Sequence, residues 1–219
     1  MSAGLNSNPR IAILGLYNSG STALAGMLVR LGVNMGPPYW ADSHPQSPSN
    51  YYEPYDLAWH LRNWWNEPEL VERVVTARRV EFLKLWVRLQ ESVGFRAVGA
   101  KHPLLSLCVP DLISAWGERT RFIWSYRPLA ESVSGLARRG WFRGQEERVQ
   151  LRLWESLHEV ESSTAHIIRI DWTHVTNDPV LAAEELATLA DLHPSTEQIQ
   201  AAAAFVRLPP RLARYPPTA

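Results

Sequence analysis

Eight residues, Gly15-Leu16-Tyr17-Asn18-Ser19-Gly20-Ser21-Thr22, form a G-x-x-x-x-G-x-[ST] frame between an apolar strand-like run and a helical pattern. Its chemistry is anion binding. Glycines let the backbone turn tightly, and the free N–H groups of a helix start, reinforced by the helix dipole, point into such a turn. Ser19, Ser21 and Thr22 add hydroxyl donors. The lysine that ATP- and GTP-hydrolysing loops place on the β- and γ-phosphates is missing, because Ser21 stands in its position. Asp171, the one carboxylate after a late strand, reads as part of a turn rather than as a metal-holding partner. A phosphotransferase therefore stands as an alternative only, beside a glycine turn that does no more than cap a helix.

A second anion pattern is Ile123-Trp-Ser-Tyr-Arg127-Pro-Leu-Ala-Glu-Ser132-Val-Ser134. Here a strand ends in arginine, proline opens a helix, and hydroxyls follow. Seven positions at 100° each bring Ser134 to within about 20° of the Arg127 direction, whereas Ser132 lies about 140° away. Arg138 returns to the Arg127 face. A guanidinium and a hydroxyl beside a helix start can clamp a terminal phosphate. An arginine bridged to a carboxylate at a sheet edge would leave the same local pattern, so the pairing of two anion sites carries the weight.

The elements that must position these residues alternate strand and helix, which predicts an α/β domain: a three-layer fold with a central, mainly parallel sheet flanked by helices. Strands are expected at Arg10–Leu14, Ala97–Ala100, Arg121–Tyr126 and His166–Ile170. Helices are expected at Ser21–Leu31, Tyr55–Asn66, Glu69–Val93, from His102-Pro103 to Trp116, Pro128–Arg139, Gln145–Ser162, Pro179–Ala190 and Ser195–Val206. Gly36–Pro54, with five prolines, is an irregular excursion of the length that is usually functional. The 219 residues show no repeat or linker and are expected to form one domain, with 1–9 and 209–219 as irregular tails. Basic and acidic residues balance at 22 each, so nothing draws the chain to nucleic acid or an anionic membrane. No apolar run approaches the ~20 residues that span a bilayer. The N-terminal residues lack the blocks of a signal peptide, and the single Cys108 excludes a disulfide framework, so a cytoplasmic setting is expected. His44, His60 and His102 are too scattered for a metal site, and none is expected. Of ten tryptophans, Trp40, Trp59, Trp64 and Trp65 share one Pro- and Tyr-rich stretch, which fits core filling, an acceptor-binding wall, or both.

The stretch Ile11–Leu28 resembles the 5′-phosphosulfate loop of the sulfotransferase superfamily, whose bacterial members often read His-Arg-Ser-Gly-Thr-Ser-Ala-Leu. The family's Lys or Arg is Asn18 in this chain. Arg127-Pro128 and Ser134 resemble the family's 3′-phosphate site, with the arginine one place closer to the proline. Asn50-Tyr-Tyr-Glu53, Gly99-Ala-Lys101-His102-Pro103-Leu and Ile170-Asp-Trp-Thr-His-Val-Thr-Asn-Asp178-Pro179 resemble weaker family segments, so the likeness spans nearly the whole chain. It implies a donor, 3′-phosphoadenosine-5′-phosphosulfate (PAPS), bound by Asn18, Ser19, Gly20, Ser21, Thr22, Arg127 and Ser134. The sulfuryl group would pass by in-line transfer to a hydroxyl or amine of a small-molecule or carbohydrate acceptor. With Asn18 uncharged, Lys101 at a strand end is the expected cation for the leaving phosphate. Glu53, on the acceptor side by the resemblance, and His102 are the candidate general bases. A nucleotide-binding protein that has lost turnover through Asn18 is the alternative from another class. Oligomeric state is not readable from the sequence.

Overall fold

The computed structural model describes residues 8–39, 51–67, 69–163 and 167–207. In chain order these hold β1 (Arg10–Gly15), α1 (Ser21–Arg30), β2 (Val33–Asn34), α2 (Tyr55–Trp65), α3 (Thr76–Glu91) and β3 (Ala97–Lys101). A 3-10 turn (Pro103–Leu107), α4 (Val109–Trp116), β4 (Arg121–Tyr126), α5 (Leu129–Arg139) and α6 (Glu146–Ser163) follow. The described chain ends with β5 (Ile167–Asp171), α7 (Trp172–Asn177), α8 (Pro179–Leu189) and α9 (Thr196–Arg207).

The five strands form one sheet in the order β2-β3-β1-β4-β5, and every pairing is parallel. The middle strand shows why: Ile11 to Leu14 are fully buried on both faces, so both must be covered by helices. On one face α1, α8 and α9 pack over Ile11, Ile13 and Ile123. The other face holds Ala12, Leu14, Val98 and Trp124 under α2, α3, α4 and α6. Gly26 lets α9 approach α1, for a Cβ there would lie 1.9 Å from the Phe205 ring. The α/β sheet expected from the sequence is the fold observed.

Several boundaries differ for local reasons. The expected helix Glu69–Val93 starts only at Thr76, after an irregular turn in which Arg73 N–H donates to Trp64 O at 2.7 Å. The run from His102 to Trp116 is two pieces, because Pro110 has no N–H to continue a helix and instead opens α4. The turn expected at Asp171 is the cap of α7, with Oδ1 accepting from Thr173 N–H at 2.8 Å. β2, two residues long, is too short to show a period. The middle of the expected excursion, residues 1–7 and 208–219 and His166 lie outside the described residues. At the ends of the excursion Tyr39 pairs with Pro54, and Tyr55 N–H donates to Pro38 O at 2.9 Å.

Candidate functional site

Parallel pairing puts the C-terminal ends of β3, β1 and β4 on one edge: Ile13 is opposite Lys101, and Gly15 opposite Ser125. Three clusters of the sequence candidates meet there.

The first is the turn between β1 and α1. Asn18 and Gly20 take left-handed conformations, at φ 62° and 95°. Gly20 is also required sterically, since a Cβ would lie 2.3 Å from the Trp172 ring of α7. The turn is held from outside by residues with no sequence signal. Gln150 of α6 accepts from Tyr17 N–H at 3.1 Å and donates to Tyr17 O at 2.7 Å. Ser106 Oγ accepts from Gly15 N–H at 3.2 Å, and Ser125 Oγ donates to Ser19 O at 3.1 Å. In the first turn of α1, Ala23 N–H donates to Gly20 O at 2.9 Å, while the Ser21 and Thr22 N–H groups precede any intrahelical acceptor. No acidic residue occupies that turn, and Ser19 Oγ is buried without a hydrogen-bond partner. An anion therefore fits: it would supply an acceptor for Ser19 Oγ and for the N–H groups at the start of α1 that have none. Asn18 takes no part from its side chain, which packs against Gly135 of α5, where a Cβ would lie 1.7 Å from Nδ2.

The second cluster is on α5 and the residues that lead into it. Arg127, Ala130, Glu131, Ser134 and Arg138 line a concave site of about 340 Å³. Arg127 Nη1 donates to Asn18 O at 2.9 Å, which ties this site to the turn. Its guanidinium lies 5.4 Å from the centre of the Trp172 ring, a cation–π contact. Ser132 is buried away from the site, its Oγ unpartnered, while Ser134 is exposed on it. Glu131 opposes an anion here, with Oε2 3.5 Å from Arg127 Nε.

The third cluster is dry. Lys101 and His102 are 2 % and 1 % exposed, and Lys101 Nζ donates to Glu53 Oε1 at 2.7 Å. Glu53 is brought from the excursion by its neighbour Tyr52. That ring is fully buried against Tyr39 and Phe205, and its backbone is left-handed at φ 51°. Burial pushes the Glu53 carboxyl up, but the Lys101 charge and hydrogen bond together with His102 and Arg62 outweigh it and hold it below the usual carboxylate range. Burial drives the His102 imidazole down to about 3, so it is neutral. Its Nδ1 accepts from Leu104 N–H at 3.1 Å, capping the 3-10 turn, and its Nε2 lies 3.9 Å from Glu53 Oε2. Tyr17 places its ring edge-on to His102 and to Phe142, and its hydroxyl donates to Glu67, beside Arg62. Tyr51 lies between Lys101 Nζ, 5.8 Å from its ring centre, and Trp141, 6.0 Å away.

The rings beside this cluster are Tyr17, Tyr51, Trp141 and Phe142, of which only Tyr51 comes from the tryptophan-rich stretch. Trp64 and Trp65 pack in the core, where Trp65 Nε1 donates to Cys108 Sγ at 3.1 Å. Trp59 is half exposed on the outer side of α2, and Trp40 and Asn50 lie outside the described residues. Among the described residues no three His, Cys, Asp or Glu side chains gather as a metal site. Nor is any described helix long and apolar enough to cross a membrane.

No protein-family model matches the chain, and no curated protein matches it in sequence. Solved structures do match in three dimensions. Sulfotransferase STF9 from Mycobacterium avium aligns with a TM-score of 0.59 at 14% identity, over 92% of this chain and 68% of its own. The sulfotransferase domain of the Synechococcus olefin synthase gives 0.59 at 14%, over 89% and 76%. The sulfotransferase domain of the curacin pathway gives 0.58 at 16%, over 89% and 78%. At these identities the likeness speaks for architecture alone, and on architecture this chain has the sulfotransferase fold.

Proposed function

We propose that the protein is a sulfotransferase of that superfamily, taking its sulfuryl group from PAPS and acting in the cytoplasm on a small-molecule or carbohydrate acceptor. The observation that carries the proposal is the Arg127–Asn18 contact, which joins two anion-fitting sites into one continuous edge. A nucleotide with phosphates at both its 5′ and 3′ positions needs two such sites; a nucleoside triphosphate needs one. The N–H groups and hydroxyls of Ser19 to Thr22 would hold the 5′-phosphosulfate. Arg127, Ser134 and Arg138 would hold the 3′-phosphate. The donor supplies an activated sulfur–oxygen bond, and the protein supplies position and charge. Lys101 is the cation for the leaving phosphate, and Glu53 takes the acceptor proton.

Calorimetric titration tests the nucleotide assignment. Charge-assisted bonds to phosphate contribute about 1.5–3 kcal/mol each, so adenosine 3′,5′-bisphosphate should bind at least ~10-fold more tightly than the 5′-monophosphate. Arg127→Ala should remove most of that preference and leave monophosphate binding nearly unchanged; Ser134→Ala should remove part, and Ser132→Ala little. Equal affinities in the wild-type protein would sink the proposal. A binding protein without turnover is the second reading, supported by Asn18 being turned onto α5 and Lys101 being tied to Glu53. Sulfate-labelled donor with a panel of acceptors separates the two.

A further inference from the structure

The imidazole of His102 has one lone pair to offer, and it is in use. Nδ1 accepts the Leu104 N–H at 3.1 Å inside a fully packed turn, which places the ring proton on Nε2. Nε2–H is therefore a donor, and it is buried without a hydrogen-bond partner. Across from it stands Glu53 Oε2, an acceptor, at 3.9 Å. That gap is too long for a direct hydrogen bond. It suits one oxygen seated about 2.9 Å from both, the usual hydrogen-bond length. Lys101 on Oε1, Tyr17 beside the ring and Arg62 nearby are the other polar groups around this pair.

We infer that the acceptor group is a hydroxyl and not an amine, selected by the fixed Nε2–H donor of His102 facing Glu53 Oε2. This rests on the sulfotransferase reading. A hydroxyl oxygen accepts from Nε2–H with one lone pair, donates its proton to Oε2, and keeps a second lone pair to attack sulfur. A neutral amine has a single lone pair; engaged by Nε2–H, it has none left for the attack. In the step the acceptor O–S bond forms, and the bond from sulfur to the phosphate oxygen breaks. The electron pair leaves with the adenosine bisphosphate, and the acceptor proton passes to Glu53. His102 stays neutral throughout and holds the oxygen as it gains charge, so it is a donor in the reaction rather than its base.

Two measurements test this. ¹⁵N spectra of the imidazole in the wild-type protein should show the Nε2–H form, with no titration between about pH 5.5 and 7.5, where a free histidine ionises. An Nδ1–H form, or a midpoint near pH 6.5, overturns the inference whether or not transfer is seen. The second uses labelled donor with matched pairs, 2-phenylethanol against 2-phenylethylamine and cyclohexanol against cyclohexylamine. Each alcohol should be sulfated at least ~100-fold faster than its amine. His102→Gln, whose amide keeps a donor, should retain a tenth or more of the alcohol rate, and His102→Leu should lose at least ~100-fold. Equal rates on both members of a pair, or a glutamine variant as inactive as the leucine one, overturn it. No transfer to any acceptor, with equal binding of bisphosphate and monophosphate, overturns the sulfotransferase reading instead and leaves the spectra to decide the state of His102.

Discussion

The α5 site and the Glu53–Lys101 pair stand on the same sheet edge, yet they hold their cations in opposite ways. Arg138 and Ser134 are exposed, and Arg127 keeps part of its guanidinium in solvent while donating to a neutral carbonyl. Lys101 is almost wholly buried and stands against a carboxylate. Water screens an exposed cation, so it can wait for a phosphate at little cost. A buried ammonium cannot stay charged without a counter-ion. The edge thus separates a part that captures an anion from a part already balanced before anything binds.

The sharpest way to break that comparison is to unbalance the buried pair. Glu53→Gln or Lys101→Met alone leaves one buried charge and should cost about 3–5 kcal/mol in denaturant unfolding. The double variant removes both charges and should recover most of that loss. Arg127→Ala, in the open site, should cost less than ~1 kcal/mol. Transfer should fall at least ~100-fold in both single variants and stay low in the double one, because stability returns and chemistry does not. A single variant as stable as Arg127→Ala would show that the pair is not electrostatically dry.

The pH dependence of stability sharpens the same contrast. Burial depresses the His102 pKa from its ordinary 6.5 to about 3. Between those values the unfolded chain binds a proton that the folded chain refuses, so stability falls as pH drops through that window. The slope from one such group approaches 1.4 kcal/mol per pH unit, roughly. His102→Gln should remove about one proton from the dependence between pH 6 and 5, measured as the difference in unfolding free energy between variant and wild type. Groups common to both proteins should cancel in that difference. An unchanged slope would mean that the imidazole ionises in the folded state.

Gln150 should give a smaller and more selective effect. It satisfies both the N–H and the C=O of Tyr17 inside the protein, so Gln150→Leu strands two buried groups at about 1–3 kcal/mol each. Part of that penalty should appear as looser binding at the turn. Bisphosphate and monophosphate should weaken by a similar factor, on the order of 10, leaving the preference between them intact. Loss of the preference would place Gln150 in contact with the α5 site.

Those residues also mark the limit of what the sequence discloses. The parallel sheet was legible because strands buried on both faces leave unbroken apolar runs such as Ile11–Leu14. The two anion segments were legible because each is local, a turn and one helix start. Gln150 was not, since it meets Tyr17 from 133 residues away and a glutamine on a helix carries no pattern of its own. Trp172 was hidden in the same way, as its contact with Gly20 depends on α7, a helix too short to show a period. His102 was visible as a titratable residue, but its tautomer is fixed by an N–H of the turn it caps, and only the folded backbone shows that. The tryptophan-rich stretch offered two roles, and its position in the fold assigns Trp64 and Trp65 to the core.

The smallest expected effect concerns Glu131, a carboxylate in a site whose other polar groups are two arginines and a serine. It stands four residues after Arg127, its Oε2 is 3.5 Å from Nε, and its side chain is 62 % exposed. An exposed i,i+4 pair contributes only about 0.3–0.5 kcal/mol to stability, so Glu131→Gln should leave unfolding almost unchanged. Its effect on an arriving anion is different in kind. The carboxylate repels the 3′-phosphate and competes for the guanidinium that should bind it. Removing that charge should tighten adenosine 3′,5′-bisphosphate by roughly 2- to 5-fold at low salt and by less at 0.5 M, where the Debye length is shorter than the ~8 Å of physiological salt. Adenosine 5′-monophosphate, which reaches only the turn, should bind as before. Calorimetry of the two nucleotides at two salt concentrations measures all four values. A gain shared equally by both nucleotides would show a general field effect and would detach the 3′-phosphate from α5. A loss confined to the bisphosphate would show that Glu131 orients Arg127 for binding rather than opposing it.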